Sequence, residues 1–226
     1  MHIIEIYKSV QGESTWTGLP CIFVRLAGCN LRCTWCDSEY TFSGGTKMSL
    51  EQVEAEVAKL APVKLVEITG GEPMLQEREV VPLMGRLLAQ GYTVLLETSG
   101  ERPLAAVPAA VHKIVDVKCP GSGEGDTFDL ENLKAIGRGD EVKFVIADRR
   151  DYEFARDFVR EQGLESKAGA VLFSPAFRKD AGPARDAANC LLDPRQLVEW
   201  MLADGLNARL GMQMHKFVWE PMTKGV

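Results

Sequence analysis

After residue 60 the chain alternates short β-branched runs with amphipathic helical stretches, the pattern that builds parallel βαβ units. The strand candidates are Lys64–Thr69, Tyr92–Glu97, His112–Lys118, Glu141–Ala147 and Ala170–Ser174. Leu50–Leu60 reads as a helix that Ser49 caps and Gln52 completes as a capping box, and a second helix over Arg149–Gln162 ends at Gly163. Adding Cys21–Leu26 makes about six parallel strands, each running into polar or glycine-rich residues, as barrel strands do where they feed a catalytic face. The expected fold is therefore α/β, an incomplete (βα) barrel with an N-terminal extension. One domain over 1–226 is expected, with an N-terminal segment 1–20, a barrel core 21–175 and a C-terminal segment 176–226. Cys119–Thr127 and Ser174–Asn189 read as loops inside that domain.

The formal net charge of -6 comes without runs of like charge, which argues against generalised binding to nucleic acid or to an anionic membrane. No basic segment followed by an apolar run opens the chain, and no stretch approaches the roughly 18 to 20 apolar residues needed to cross a bilayer. The expectation is a soluble, cytoplasmic protein acting on a small molecule.

Six cysteines occur, at 21, 29, 33, 36, 119 and 190, and three of them crowd into one loop, Gly28-Cys29-Asn30-Leu31-Arg32-Cys33-Thr34-Trp35-Cys36-Asp37. In a reducing compartment such crowding points to metal or catalysis rather than to disulfides. An iron–sulfur cubane takes four ligands and this loop supplies three, which leaves one iron open to a substrate or cofactor. A zinc knuckle is the competing reading, but zinc sites usually pair two separated Cys or His pairs, and no second C-x2-C or H-x3-H is present. Cys21, Cys119 and Cys190 match no ligand spacing and read as small buried hydrophobes.

The C-x3-C-x2-C loop, with an aromatic residue before its last cysteine, resembles the defining motif of the radical S-adenosylmethionine superfamily. The resemblance implies a 4Fe-4S cluster on Cys29, Cys33 and Cys36, with S-adenosylmethionine on the open iron. One βα unit later, Ile68-Thr69-Gly70-Gly71-Glu72-Pro73 matches the superfamily's GGEP segment, which meets the methionine amino group. On this basis cofactor contacts are expected from Trp35, Asp37, Gly70, Gly71, Glu72, Glu97, Ser99, Lys118, Ser122, Ser174 and Pro175. Capping and turn chemistry is the competing reading at each strand end.

Ile6–Glu13, Gly18–Pro20, Phe23–Leu26, Trp35–Tyr40 and Gln213–Lys216 together resemble the 7-carboxy-7-deazaguanine synthase family over nearly the whole chain. That resemblance implies ring contraction of 6-carboxy-5,6,7,8-tetrahydropterin with loss of ammonia, begun by a 5'-deoxyadenosyl radical that takes hydrogen from C6, in queuosine and 7-deazapurine biosynthesis. It implies substrate contacts from Val10, Gln11, Gly12, Glu13, Arg25, Thr69 and His215, and Mg2+ at Ser38, where the family usually carries threonine. An electron donor such as flavodoxin and a homodimer follow from the same resemblance. No side chain is expected to be catalytic beyond the cluster and the cofactor. A guanidinium at the barrel mouth suits Arg25 to a substrate carboxylate, with an exposed ion pair as the alternative. Ser14 departs from the glycine expected after Gln-Gly-Glu, and should slightly restrict that loop. The rivals are an activating enzyme for a glycyl-radical partner and a noncatalytic metal-binding module.

Overall fold

The computed structural model describes residues 1–180, 182–221 and 223–225. Among them nine strands form one sheet: β1 (His2–Val10), β2 (Pro20–Leu26), β3 (Thr46–Lys47), β4 (Leu65–Gly70), β5 (Thr93–Thr98), β6 (His112–Asp116), β7 (Glu141–Ile146), β8 (Ala170–Pro175) and β9 (Arg209–Leu210). Their order is β3-β1-β2-β4-β5-β6-β7-β8-β9, and the two ends of that series are not paired with each other, so the barrel is incomplete. The six strands expected from the sequence are β2 and β4 to β8, all mutually parallel, with boundaries displaced by a residue or two.

The N-terminal extension contributes more than a loop. Residues 2–10 form a full strand, antiparallel to β2, and Thr46–Lys47 pairs on its outer edge. Among the described residues there are six α-helices: α1 (Leu50–Ala58), α2 (Glu77–Ala89), α3 (Arg149–Glu161), α4 (Leu164–Lys167), α5 (Pro194–Asp204) and α6 (His215–Val218). The capping box at α1 is present, with Gln52 N donating to Ser49 Oγ at 3.2 Å and Ser49 N to Gln52 Oε1 at 2.7 Å, worth about 1 kcal/mol.

Because side chains alternate across a strand, each strand has a convex and a concave set. Val66 and Ile68 of β4 point out against Val80, Leu83, Met84 and Leu87 of α2, in the large core. Leu65, Glu67 and Thr69 point the other way, into the barrel. At its lower end the interior is apolar, with Cys21, Phe23, Leu65, Leu95 and Ile114 packed together, and Trp16 and Tyr7 against them. Towards the strands' C-terminal ends it turns polar, and that end is the site.

Candidate active site

One cavity opens at the C-terminal ends of the parallel strands. Cys29, Cys33 and Cys36 lie on its wall as free, half-buried thiols on the loop that leaves β2. Two neighbours hold that loop by its backbone. From the turn just after β4, Glu72 N donates to Gly28 O at 2.8 Å and Gly71 N to Leu26 O at 3.2 Å. From the loop after β6, Thr34 N donates to Ser122 O at 3.0 Å and Arg32 N to Glu124 Oε1 at 2.6 Å. A Cβ on Gly71 would stand 2.2 Å from Gly28 O, so this glycine is required for the strand end to reach the cysteine loop.

The donor set fits a four-iron cluster. Burial raises all three thiols, Cys33 up to about 11, while the Lys118 ammonium pulls each of them back towards the thiolate an iron needs. Asp116, on the same wall, keeps a buried Oδ1 with no hydrogen-bond partner among the described residues, suited to a donor on a bound molecule. Its other oxygen takes Lys118 Nζ at 2.8 Å.

Across the cavity, Lys143 of β7 stands among three carboxylates. Its Nζ donates to Glu13 Oε2 at 2.9 Å and to Glu97 Oε1, and lies 3.7 Å from Asp116 Oδ2. These partners outweigh burial and keep the ammonium charged well above its ordinary range. Burial would raise Glu13, but Lys143 and then His215 bring it down to about 2. Gln213 Nε2 donates to the other oxygen of Glu13 at 2.9 Å, and His215 Nδ1 lies 3.8 Å from it. Burial holds His215 below its usual value in spite of Glu13 and Asp37. Gly12 lies directly beneath this C-terminal segment, where a Cβ would come within 2.8 Å of His215 Nδ1.

A model of the radical SAM superfamily matches residues 24–147, which run from β2 through the end of β7. Over their full lengths, this chain and the 7-carboxy-7-deazaguanine synthase of Koribacter versatilis are 67% identical. The chain belongs to the 7-carboxy-7-deazaguanine synthase family. The synthase of Chlorobaculum tepidum is 38% identical over all of this chain and 97% of its own. Among solved structures, QueE from Escherichia coli superposes with a TM-score of 0.74 at 24% identity, covering 94% of this chain and 93% of that one, which shows the shared fold.

For a 7-carboxy-7-deazaguanine synthase, most of the expected site residues are gathered here. Val10, Gln11, Gly12, Glu13, Arg25, Trp35, Asp37, Ser38, Thr69, Gly70, Gly71, Glu72, Glu97, Ser99, Lys118 and His215 all line the cavity with the three cysteines. Ser122, Ser174 and Pro175 are not on that wall. Ser122 is buried with its hydroxyl on Cys119 O, and its carbonyl braces the cysteine loop. Ser174 is buried against Gly211 beside β9, and Pro175 pairs with Ile146.

Several expected contacts hold the site's own architecture. Glu72 is buried, and its carboxylate takes Met74 N, Thr98 Oγ1, Ser99 N and Ser99 Oγ, tying β4 to β5. Gln11 is equally buried. Its oxygen accepts from Glu13 N and Ser14 N, and its amide nitrogen donates to Glu67. Ser14 closes a turn, taking Trp16 N on its hydroxyl, and among the described residues none but glycine has a positive φ, so the loop carries no strain there. Arg25 uses Nε on Glu5 and one terminal nitrogen on Tyr7, each at 2.9 Å. Of the five N–H donors of a guanidinium, three remain.

Ser38 Oγ donates to Asp37 Oδ1 at 2.8 Å, and Lys216 Nζ lies 2.6 Å from Asp37 Oδ2. Although burial favours the neutral acid, Lys216 holds Asp37 ionised far below the usual carboxylate range. Lys143, Lys216, Glu67 and Tyr7 line the cavity and were not among the sequence candidates.

Proposed function

We infer that this chain makes 7-carboxy-7-deazaguanine by radical-mediated ring contraction of 6-carboxy-5,6,7,8-tetrahydropterin, with loss of ammonia. The observation that carries the reading is the single cavity in which three free thiols face Gln11, Glu13, Arg25, Thr69 and His215. Cys29, Cys33 and Cys36 hold the cluster, which together with S-adenosylmethionine supplies the one-electron chemistry that begins the reaction. Lys118 and Asp116 offer an ammonium and an unpaired carboxylate oxygen to the cofactor. The three remaining N–H donors of Arg25 grip the substrate carboxylate, and Thr69, its register partner on β4, stands beside it. Lys143 pairs with both Glu13 and Glu97 on the opposite wall.

An activating enzyme for a glycyl-radical partner must admit a protein segment. Here Gln213, His215, Lys216, Pro221, Thr223, Lys224 and Gly225 close on the cavity, and Lys224 Nζ sits 4.3 Å over the Tyr40 ring, which suits a small flat substrate. Anaerobic reconstitution with iron and sulfide tests the reading. A reducible four-iron cluster whose electron-resonance signal changes with S-adenosylmethionine, and deazaguanine formed from the carboxypterin, are expected. Stoichiometric zinc without iron would leave a noncatalytic module in its place.

The same reading takes Mg2+ at Ser38, whose hydroxyl oxygen beside Asp37 is the ligand type that cation accepts. Ser38→Ala is expected to raise the Mg2+ concentration for half-maximal rate about tenfold and to leave the iron content intact. An unaltered Mg2+ response removes Ser38 from the site. The same reading takes an electron donor such as flavodoxin, a homodimer and a cytoplasmic location. Among the described residues no helix is long and apolar enough to cross a membrane.

A further inference from the structure

Register divides the cavity wall into layers. Arg25 of β2 is opposite Thr69 of β4, and one step deeper Phe23 is opposite Glu67. Two residues of extended chain separate the layers by about 7 Å. Below Glu67 lies the apolar floor of Cys21, Leu65, Leu95 and Ile114, and beside it Tyr7 stacks on Phe23 with ring centroids 5.1 Å apart. Glu67 is only 2% exposed, yet it lines the cavity.

The other acidic groups of this wall are already compensated. Glu13 and Glu97 share Lys143, Asp116 has Lys118, Asp37 has Lys216, and Glu72 is saturated by four hydrogen bonds. Glu67 has no ion pair among the described residues. Its Oε2 accepts from Gln11 Nε2 at 3.1 Å, and no protein donor among the described residues reaches Oε1. The titratable groups that face it are Tyr7 on β1, Cys21 on β2, Glu97 on β5, Lys143 on β7 and Glu13 on the loop after β1, while β6 offers Ile114. Burial, then repulsion by Glu97, pushes its carboxyl group up to about 8. A carboxyl group placed on an apolar floor with one oxygen unengaged is costly unless a ligand completes it.

We propose that Glu67 determines substrate specificity by accepting hydrogen bonds, as a carboxylate, from the 2-amino-4-oxopyrimidine edge of the pterin. The inference rests on the ring-contraction reading above. In that substrate the carboxylate on C6 and the aminopyrimidine edge lie at opposite ends of a flat bicycle. With the carboxylate held in the Arg25 layer, the opposite edge reaches the deeper layer, where the exocyclic amine and the adjacent ring N–H present two parallel donors. A carboxylate matches such a pair as it matches a guanidinium. The Tyr7–Phe23 stack supplies a flat surface beside it.

Accepting these bonds requires the ionised group, and free Glu67 is protonated below about pH 8. Substrate binding therefore releases a proton, and KM falls as pH rises towards 8 and then levels. The test compares reconstituted wild-type enzyme with Glu67→Gln, from about pH 6.5 to about pH 9, on the carboxypterin and on its analogue without the 2-amino group. Glu67→Gln is expected to keep its iron and its uncoupled cleavage of S-adenosylmethionine. Its KM should rise roughly tenfold or more at the alkaline end, with kcat little changed and the pH dependence of KM gone. Removal of the amino group should penalise the wild type and be nearly neutral in Glu67→Gln.

Equal penalties in both proteins, or a wild-type KM profile in Glu67→Gln, overturn the assignment and leave the ring-contraction reading standing. Should the variant lose its cluster, the wild type alone decides, because its preference for the amino group must grow with pH. A wild-type enzyme that does not convert the carboxypterin at all removes both.

Discussion

Cys33→Ala protein is expected to purify folded, to take up no iron above background on anaerobic reconstitution, and to form no detectable deazaguanine. The thiol is half-buried on the cavity wall, outside the hydrophobic core, so its loss should cost less than about 1 kcal/mol of stability. The loop keeps its shape without it, because its braces are backbone bonds: Glu72 N to Gly28 O, Thr34 N to Ser122 O, and Gly28 N to Thr41 O at 2.7 Å. Cys119→Ala is the matched control. That side chain is buried in the core, so the change should cost about 1 kcal/mol or more while iron content and turnover per folded molecule stay at the wild-type level. Iron quantitation, visible absorbance and denaturant unfolding separate the two. Full iron in Cys33→Ala, or iron lost in Cys119→Ala, would overturn the ligand assignment.

The parallel strands could be read in the sequence because each is a β-branched run bounded by turn residues, and β2 and β4 to β8 all appear where such runs occur. β1 was not legible as a strand. Its segment, His2–Val10, lacks a regular apolar alternation, since one face packs against Phe23 and Arg25 and the other only partly covers the core. Two-residue strands such as β3 and β9 carry no periodicity at all; only the finished sheet defines them.

The same distinction governs the site. The cysteine loop stands out by its spacing, while Thr69–Glu72 and Gln11–Glu13 are contiguous motifs that the family resemblance picks out. Lys143 and Glu67 are single polar residues inside apolar runs, and what they do depends on which strand lies opposite. One signal was available. In Glu141-Val142-Lys143-Phe144-Val145 the polar residues fall at every second position, which places both on the face away from the core. Ser174 and Pro175 sit at a strand end but apart from that cavity wall: Ser174 packs on Gly211, just past β9, and Pro175 pairs with Ile146.

Lys143→Met should destabilise the protein by about 3 to 5 kcal/mol near neutral pH, because it leaves Glu13, Glu97 and Asp116 facing one another without their shared cation. Methionine fills a similar volume, so the loss measures charge rather than a cavity. The pH dependence has a definite sign. Glu13, depressed from 4.5 to about 2 chiefly by Lys143 against the opposing effect of burial, contributes stability that is present above its unfolded value and lost as pH falls through that window. The difference between wild type and variant should therefore be largest near neutrality and narrow as pH drops from about 4.5 towards 2. Above the ordinary lysine value of 10.5 it should narrow again, since an unfolded chain then holds this amine neutral while the folded one keeps it charged. Adding Glu97→Gln to Lys143→Met removes one of the uncompensated carboxylates and should recover part of the loss, whereas Glu97→Gln alone should destabilise. Urea unfolding of the four proteins at several pH values measures these terms. A pH-independent difference, or strictly additive variants, would show that Lys143 is not the charge that organises this wall.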